Sequence, residues 1–268
     1  MHLSKEEQIL SKHFNDMIHM SYHRGIPVFS QFTSLHEAEL ASQALDSFYG
    51  KQWREGEQMV SFGGYSDAER KILCFLPEHG KVTAEEDFPI CCVRIAPANK
   101  RFCDSLNHRD YLGVIMNLGL ERGQIGDILV RQEEGGGCHI STAYVFCKQD
   151  KAGLLEGLTK IKHTTVVSEV IDFMLSGWQP EFKEISGSVS SFRLDTVLAL
   201  AIRVSRSQGL ALVQAGSVFL NGRCCTENAK TLKEGDIFSV RGYGRFVFAQ
   251  ISTQSRKGRY HVTVKQYI

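Results

Sequence analysis

The stretch from Phe192 to Arg223 most constrains what this chain can fold into. Leu194, Val197, Leu198 and Ala201 recur at helical spacing and give one buried face. Ser205 stands where an N-cap belongs and opens a second run through Leu210, Leu212 and Val213. Gly216 falls just past that run, where a helix end needs positive φ. Val218-Phe219-Leu220 then reads as a short strand, and Asn221-Gly222 as the turn of a hairpin. Two short helices meeting a hairpin, with Arg193, Arg203, Arg206 and Arg223 at the polar positions, make a compact basic surface.

The ordered pattern Arg-Leu-Asp-x-x-Leu-Ala, Ser-Arg, Gly-x-Val-x-x-Asn-Gly, then Gly235-Asp236 before an apolar strand, resembles the ribosomal-protein S4 type of RNA-binding domain. Gly209 and Val213 stand where that family usually has Ala and Ile, a small loss of helix propensity. The RNA contacts expected of such a module are Arg193, Arg203, Ser205, Arg206, Asn221, Lys230, Arg241, Gly242 and Arg245. Guanidinium forks suit bidentate phosphate contacts. Gly242 and Gly244 let backbone amides approach a phosphate closely. Arg193 and Arg206 open the two helices, where a positive charge opposes the macrodipole. Both are therefore read as phosphate ligands that share an anion with helix N-terminal amides. On that reading Arg206→Ala or Arg241→Ala weakens RNA binding and leaves the melting temperature nearly unchanged. Asp195 is expected to cap the first helix or pair with a neighbouring arginine.

Net charge is +1 over 268 residues, but it is unevenly divided. From Gly187 onward there are 12 lysines and arginines against 4 acidic residues, a net of +8, and the remainder holds 19 against 26, a net of −7. A basic module on an acidic body is the footprint of a polyanion binder. No apolar run approaches the ~20 residues needed to span a bilayer. The N-terminal Met1-His2-Leu3-Ser4-Lys5-Glu6-Glu7 lacks the apolar centre of a signal peptide, so a cytoplasmic protein is expected. The eight cysteines include the adjacent pairs Cys91-Cys92 and Cys224-Cys225 and no Cys-x-x-Cys. Neither disulfides nor a metal site is expected, and no cofactor is called for.

Upstream, residues 1–65 read as a helical region: Ile9, Phe14, Met17 and Ile18 have partial amphipathic spacing, and Ser34 with Glu37 forms a capping box. Ile26-Pro27 and Phe29-Ser30-Gln31-Phe32 are read as the connection between two helices. Residues 66–182 read as an α/β domain with strands at 71–77, 89–97, 125–130, 141–147 and 164–167, and helices at 106–116 and 151–158. That alternation suggests a ferredoxin-like or RRM-like sandwich. Its strands show no clear aromatic-plus-basic set of the kind that RRM sheets use on RNA, so its sheet is expected to bind protein or pack on a neighbouring domain. The S4-type module is placed at 187–258, making the whole chain α+β. Phe246 and Phe248 alternate with Val247 and are read as core rather than stacking residues.

His108-Arg109-Asp110-Tyr111-Leu112-Gly113, Gly119 and Ile125-Gly126-Asp127-Ile128, followed by the S4-like module ending Arg241-Gly242-Tyr243-Gly244-Arg245-Phe246, resemble the bacterial YlmH family over nearly the whole chain. The resemblance implies a role in ribosome-associated quality control, with a stalled peptidyl-tRNA held on the free large ribosomal subunit. It implies rRNA and tRNA as partners, and a monomer is expected. An association with cell division also attaches to the family name. The alternatives are an RNA-modifying enzyme with an S4-type targeting domain and a cell-division adaptor. His108-Arg109-Asp110 mimics a kinase catalytic loop, but Ile115 stands where that motif needs Asn, so Arg109 and Asp110 are read as a local pair. Arg193-Leu194-Asp195 echoes a pseudouridine-synthase triplet but lies inside the module itself. Gly135-Gly136-Gly137 joins two strands rather than a strand and a helix, so it reads as a hairpin and not a phosphate cradle. No catalytic constellation emerges, and a non-enzymatic protein is expected.

Overall fold

A computed structural model describes residues 4–51, 53–66, 68–77, 85–135, 138–173, 182–254 and 258–267. The chain divides into two compact units, Met1–Trp178 and Gln179–Ile268.

The first unit is four layers deep. It begins with α1 (Lys5–Arg24), β1 (Val28–Thr33), α2 (Leu35–Tyr49), β2 (Met59–Phe62) and β3 (Lys71–Phe75). Ser4 and Ser34 cap the two helices, each in a capping box with the glutamate three residues on. The strands form an antiparallel sheet in the order β1-β3-β2. β3 is apolar at successive positions because both of its faces are covered. Leu73 and Phe75 pack on Phe14, Met17 and Ile18 of α1 and Leu40, Ala41 and Leu45 of α2. Ile72 and Cys74 pack on the other side against the central sheet. The segment read as a connection around Phe29 is therefore a strand. A bulge between Phe29 and Phe32 breaks its alternation, and the buried Ser30 hydroxyl fills the gap, accepting from the Leu73 N–H at 2.9 Å. The strand 71–75, assigned from sequence to the central domain, instead belongs to this N-terminal sheet.

The central layers are β4 (Ile90–Pro97), α3 (His108–Asn117), β5 (Ile125–Gly135), β6 (Cys138–Lys148), α4 (Ala152–Glu156), β7 (Lys160–Ile161) and β8 (Thr164–Ile171). The sheet order β5-β6-β4-β8-β7, all antiparallel, is the RRM-like βαββαβ arrangement with a short edge strand added. β5 and β6 flank the glycine run as a hairpin; Gly136 and Gly137 lie outside the described residues. Val93, Ile95, Ala143 and Val145 face α3 and α4. Cys92, Tyr144 and Phe146 point the other way, into the N-terminal sheet. Asp127 ties these layers together: its carboxylate accepts from the Tyr65 hydroxyl at 2.9 Å, the Glu69 N–H at 2.7 Å and the Arg70 N–H at 3.2 Å. Gly126 beside it has no room for a side chain, since a Cβ would lie 2.6 Å from the Phe32 ring and 3.0 Å from the Phe146 Cβ.

The second unit holds β9 (Phe182–Val189), α5 (Leu194–Ala201), α6 (Arg206–Gln214), β10 (Val218–Leu220), β11 (Arg223–Cys224), β12 (Ile237–Val240), β13 (Gly244–Gln254) and β14 (Tyr260–Tyr267). Its sheet runs β11-β10-β12-β13-β14-β9. β14 lies between β13 and β9, so the interval 187–258 omits a central strand and cuts into its partner. The two helices, bent 115° from one another, pack on one face against Val218, Phe238, Val240, Phe246, Phe248 and Val264. Phe246 and Phe248 are core residues, as their alternation suggests. Gly187 of β9 leaves space for Leu200 of α5, whose Cδ1 would lie 2.4 Å from an added Cβ.

Candidate nucleic-acid interface

The start of α5 is closed by its own neighbours. The Leu194 N–H donates to the Lys230 carbonyl at 2.8 Å, and the Asp195 N–H to the Asn228 carbonyl at 3.4 Å. An anion shared with these helix amides, the arrangement expected from sequence, therefore has no donors to use at α5. Asp195 in the first turn is buried and accepts four hydrogen bonds. Arg193 binds both carboxylate oxygens, at 3.1 and 3.2 Å; Arg206 binds Oδ2 at 3.1 Å, and the Thr196 hydroxyl binds Oδ1 at 3.3 Å. Burial raises the carboxyl's pKa, but the hydrogen bonds and charges of Arg193 and Arg206 outweigh it and hold the group below the usual carboxylate range. Asp195 thus pairs with arginines, as its place in the sequence suggests. It also gives Arg193 and Arg206 a stabilising role that the macrodipole argument misses. A guanidinium has five N–H donors, so each arginine keeps donors beyond those Asp195 takes, and the three side chains together carry a net positive charge.

Arg203, Ser205, Arg206, Ser207 and Gln208 form an exposed ledge between the helices. Arg203 adopts a left-handed backbone, φ 54°, which turns the chain sharply out of α5. Ser205 caps α6: its hydroxyl accepts from the Gln208 N–H at 3.2 Å, and its own N–H donates to the Gln208 side chain at 3.0 Å. Asn221 and Gly222 have positive φ, 48° and 80°, which identifies the I′ hairpin turn. The Asn221 side chain is engaged at both ends, donating to Asp236 Oδ1 and accepting from the Ile237 N–H, each at 2.9 Å. Ser205 and Asn221, counted among the RNA contacts from sequence, thus have demonstrable structural roles. The second also explains the Gly235-Asp236 motif. The Lys230 side chain is exposed beside the α5 start.

Arg241, Gly242 and Arg245 lie elsewhere. β12 turns into β13 through Gly242, φ 85°, and Gly244, φ 109°. Arg241 is exposed, and its guanidinium sits 5.2 Å from the Phe219 ring centre; that of the half-buried Arg245 sits 4.5 Å from the Tyr267 ring. Phe219, Arg245 and Tyr267 alternate with core residues, so they occupy the sheet face opposite α5 and α6. The structure gathers Arg193, Arg203, Arg206 and Lys230 on the helical side and Arg241 with Arg245 on the other. Tyr267 was missed from sequence, although Val262 and Val264 alternating with Thr263, Lys265 and Tyr267 is a period-2 strand signal.

In the central domain Asn107 caps α3, and Asp110 accepts from the Asn107 N–H at 3.0 Å and from the Lys162 ammonium at 2.6 Å. Asp110 therefore pairs with Lys162, not with Arg109 as read from sequence.

Comparison with known proteins agrees with this architecture. A family profile described as "Putative RNA-binding domain in YlmH" matches residues 83–173, and the S4 domain profile matches residues 192–238. The chain is 32% identical over 207 residues, 76% of each protein, to the ribosome-associated protein quality control protein P2 of Bacillus subtilis (strain 168). The solved cell division protein ylmH from Streptococcus pneumoniae is similar with a TM-score of 0.50 and 26% identity, covering 65% of this chain and 96% of that one.

Proposed function

Because the chain belongs to the YlmH family of S4-domain proteins, we propose that it is a non-enzymatic RNA-binding protein of the bacterial translation machinery. It acts as a cytoplasmic monomer that engages rRNA and tRNA on the large ribosomal subunit, in the quality control of stalled nascent chains. The relative named for ribosome-associated quality control supports that setting.

The observation that carries the reading is the arginine cluster of the S4 unit. Arg193 and Arg206 are fixed on the buried Asp195, with Lys230 joined to the α5 start through its carbonyl and Arg203 exposed in the turn before α6, on a scaffold whose net charge opposes that of the rest of the chain. Guanidiniums held in place by a carboxylate lose less freedom when they take a phosphate. Copurification of the full chain with large ribosomal subunits across a salt series tests the reading, since phosphate contacts make binding weaken steeply with salt. Absence of subunit binding at low salt refutes it. Mass spectrometry of rRNA and tRNA from a deletion strain tests the non-enzymatic part: one modified nucleotide lost, and restored by purified protein, overturns it.

A second reading, a cell-division adaptor, is favoured by the name of the Streptococcus pneumoniae relative. It expects a division defect that persists in variants unable to bind the ribosome.

A further inference from the structure

An RRM-like sheet ordinarily offers its uncovered face to RNA, with aromatic side chains on the central strands stacking against bases. Here the N-terminal layer occupies that place. Phe146 lies stacked on Tyr65 at 5.0 Å between ring centres, and Tyr144 and Phe146 are both buried. If the central domain touches RNA through an aromatic side chain, the contact has to come from an edge. One aromatic residue there stands out. Phe102, in the loop between β4 and α3, is 79% exposed, with Lys100 and Arg101 immediately before it.

The loop is held in shape. The Asn99 side chain accepts from the Arg101 N–H at 2.9 Å, which turns the chain just before Phe102. Asp104 then fastens the loop to the β7–β8 hairpin: its Oδ2 accepts from the His163 N–H at 2.9 Å and the Thr164 hydroxyl at 3.1 Å. Ala98 adds a backbone bond to Thr165 at 2.9 Å. The same hairpin carries Lys160 and His163, both exposed. Two acidic residues at this end, Asp104 and Asp110, are engaged in holding the loops, Asp110 through Lys162. A solvent-facing ring on a pinned loop beside cationic side chains matches an unpaired base with its flanking phosphates better than it matches an apolar protein partner.

We propose that this loop is an RNA contact of the central domain: Phe102 stacks on an unpaired base, and Lys100 and Arg101 take the adjoining phosphates. The inference rests on the reading of the chain as RNA-binding and adds a second site to it. The test uses the full chain with a short single-stranded RNA of mixed sequence, crosslinked by ultraviolet light, digested with trypsin and mapped by mass spectrometry. A nucleotide adduct is expected on the peptide Phe102–Arg109. Phe102→Ala should bind this RNA about tenfold more weakly, while Phe102→Trp retains affinity. Lys100→Ala with Arg101→Ala should make the log–log salt slope shallower by roughly 0.7 for each charge removed. An unchanged thermal melt shows that the variants fold. Adducts confined to the C-terminal unit, with Phe102→Ala binding like the parent, overturn this contact and leave the S4 site standing. Loss of large-subunit binding by Phe102→Ala with RNA affinity and adducts unchanged makes the partner a protein and equally overturns it. Absence of any adduct or affinity for this RNA overturns the contact, and absence of large-subunit binding as well refutes the RNA-binding reading itself.

Discussion

Replacing Arg206 by alanine removes one of the three guanidinium hydrogen bonds on Asp195, whose side chain is only 7% exposed. A hydrogen bond to a charged group contributes about 1.5–3 kcal/mol. The Arg206 side chain is 56% exposed, and screening by water and salt reduces the loss to about 1 kcal/mol. Arg193→Ala removes both bonds of a bidentate pair, and about 2 kcal/mol is expected. The double variant leaves a buried carboxylate with no cation, and its loss should reach roughly 3–5 kcal/mol. A loss of about 1 kcal/mol lowers the melting temperature of a small domain by roughly 4–8 °C. The nearly unchanged melting temperature expected from sequence therefore gives way to a measurable drop. The sign with pH follows from the depressed Asp195 carboxyl. Its stabilisation is fully present above the unfolded value of about 3.9 and is lost as pH falls through the lower folded value. Asp195→Asn should flatten that acid limb. The assay is a thermal melt of the full chain across pH, with amide exchange in α5 reporting the C-terminal unit. Unchanged melting and exchange in both single variants would refute the argument.

The fragment 179–268 should unfold cooperatively, whereas 187–258, which lacks β14, should show no cooperative melt; the reverse order would contradict the observed sheet pairing. Gly126→Ala should destabilise the first unit by about 1–3 kcal/mol, because the added methyl meets the Phe32 ring and the Phe146 side chain; urea titration measures it, and a neutral result would mean these layers yield easily. Arg241→Ala, whose guanidinium has a ring partner and no carboxylate contact among its described interactions, should weaken large-subunit binding and make the salt slope shallower by about 0.9 while moving the melt little. An unchanged slope removes this face of the sheet from the interface.

The parts of the fold that were legible in the sequence are those set by local rules. The capping box at Ser34, the N-cap at Ser205, the Asn221-Gly222 turn and the helical spacing of Leu194, Val197, Leu198 and Ala201 each depend on a few adjacent residues. The alternating segments marked the RRM-like domain, although 71–77 was counted as its first strand. What escaped depends on partners far along the chain. β3 is apolar on both faces, which tells that it is buried but not against which sheet. β1 hides behind a bulge and a buried serine. In the site, residue types were legible but their division was not. Arg206 reaches a carboxylate eleven positions upstream, and the half-buried Arg245 sits on the ring of Tyr267, beyond the stretch that carries the motif.

The pairing of β9 with β14 has a kinetic consequence. Tyr267 lies opposite Phe182, so the last ladder of the C-terminal sheet joins the two ends of its unit. The helices, the I′ hairpin and β12 with β13 are built from near neighbours in sequence and can form early. The β9–β14 ladder closes the longest loop in the unit, and the entropy of that closure is met before any of its contacts form. β14 follows β13 directly and pairs with it locally, so until β9 docks it is β14 that presents an open edge of the kind that draws in foreign strands. The assembly step most exposed to aggregation is thus the docking of β9, the unit's first strand, rather than formation of the motif by which the unit is recognised.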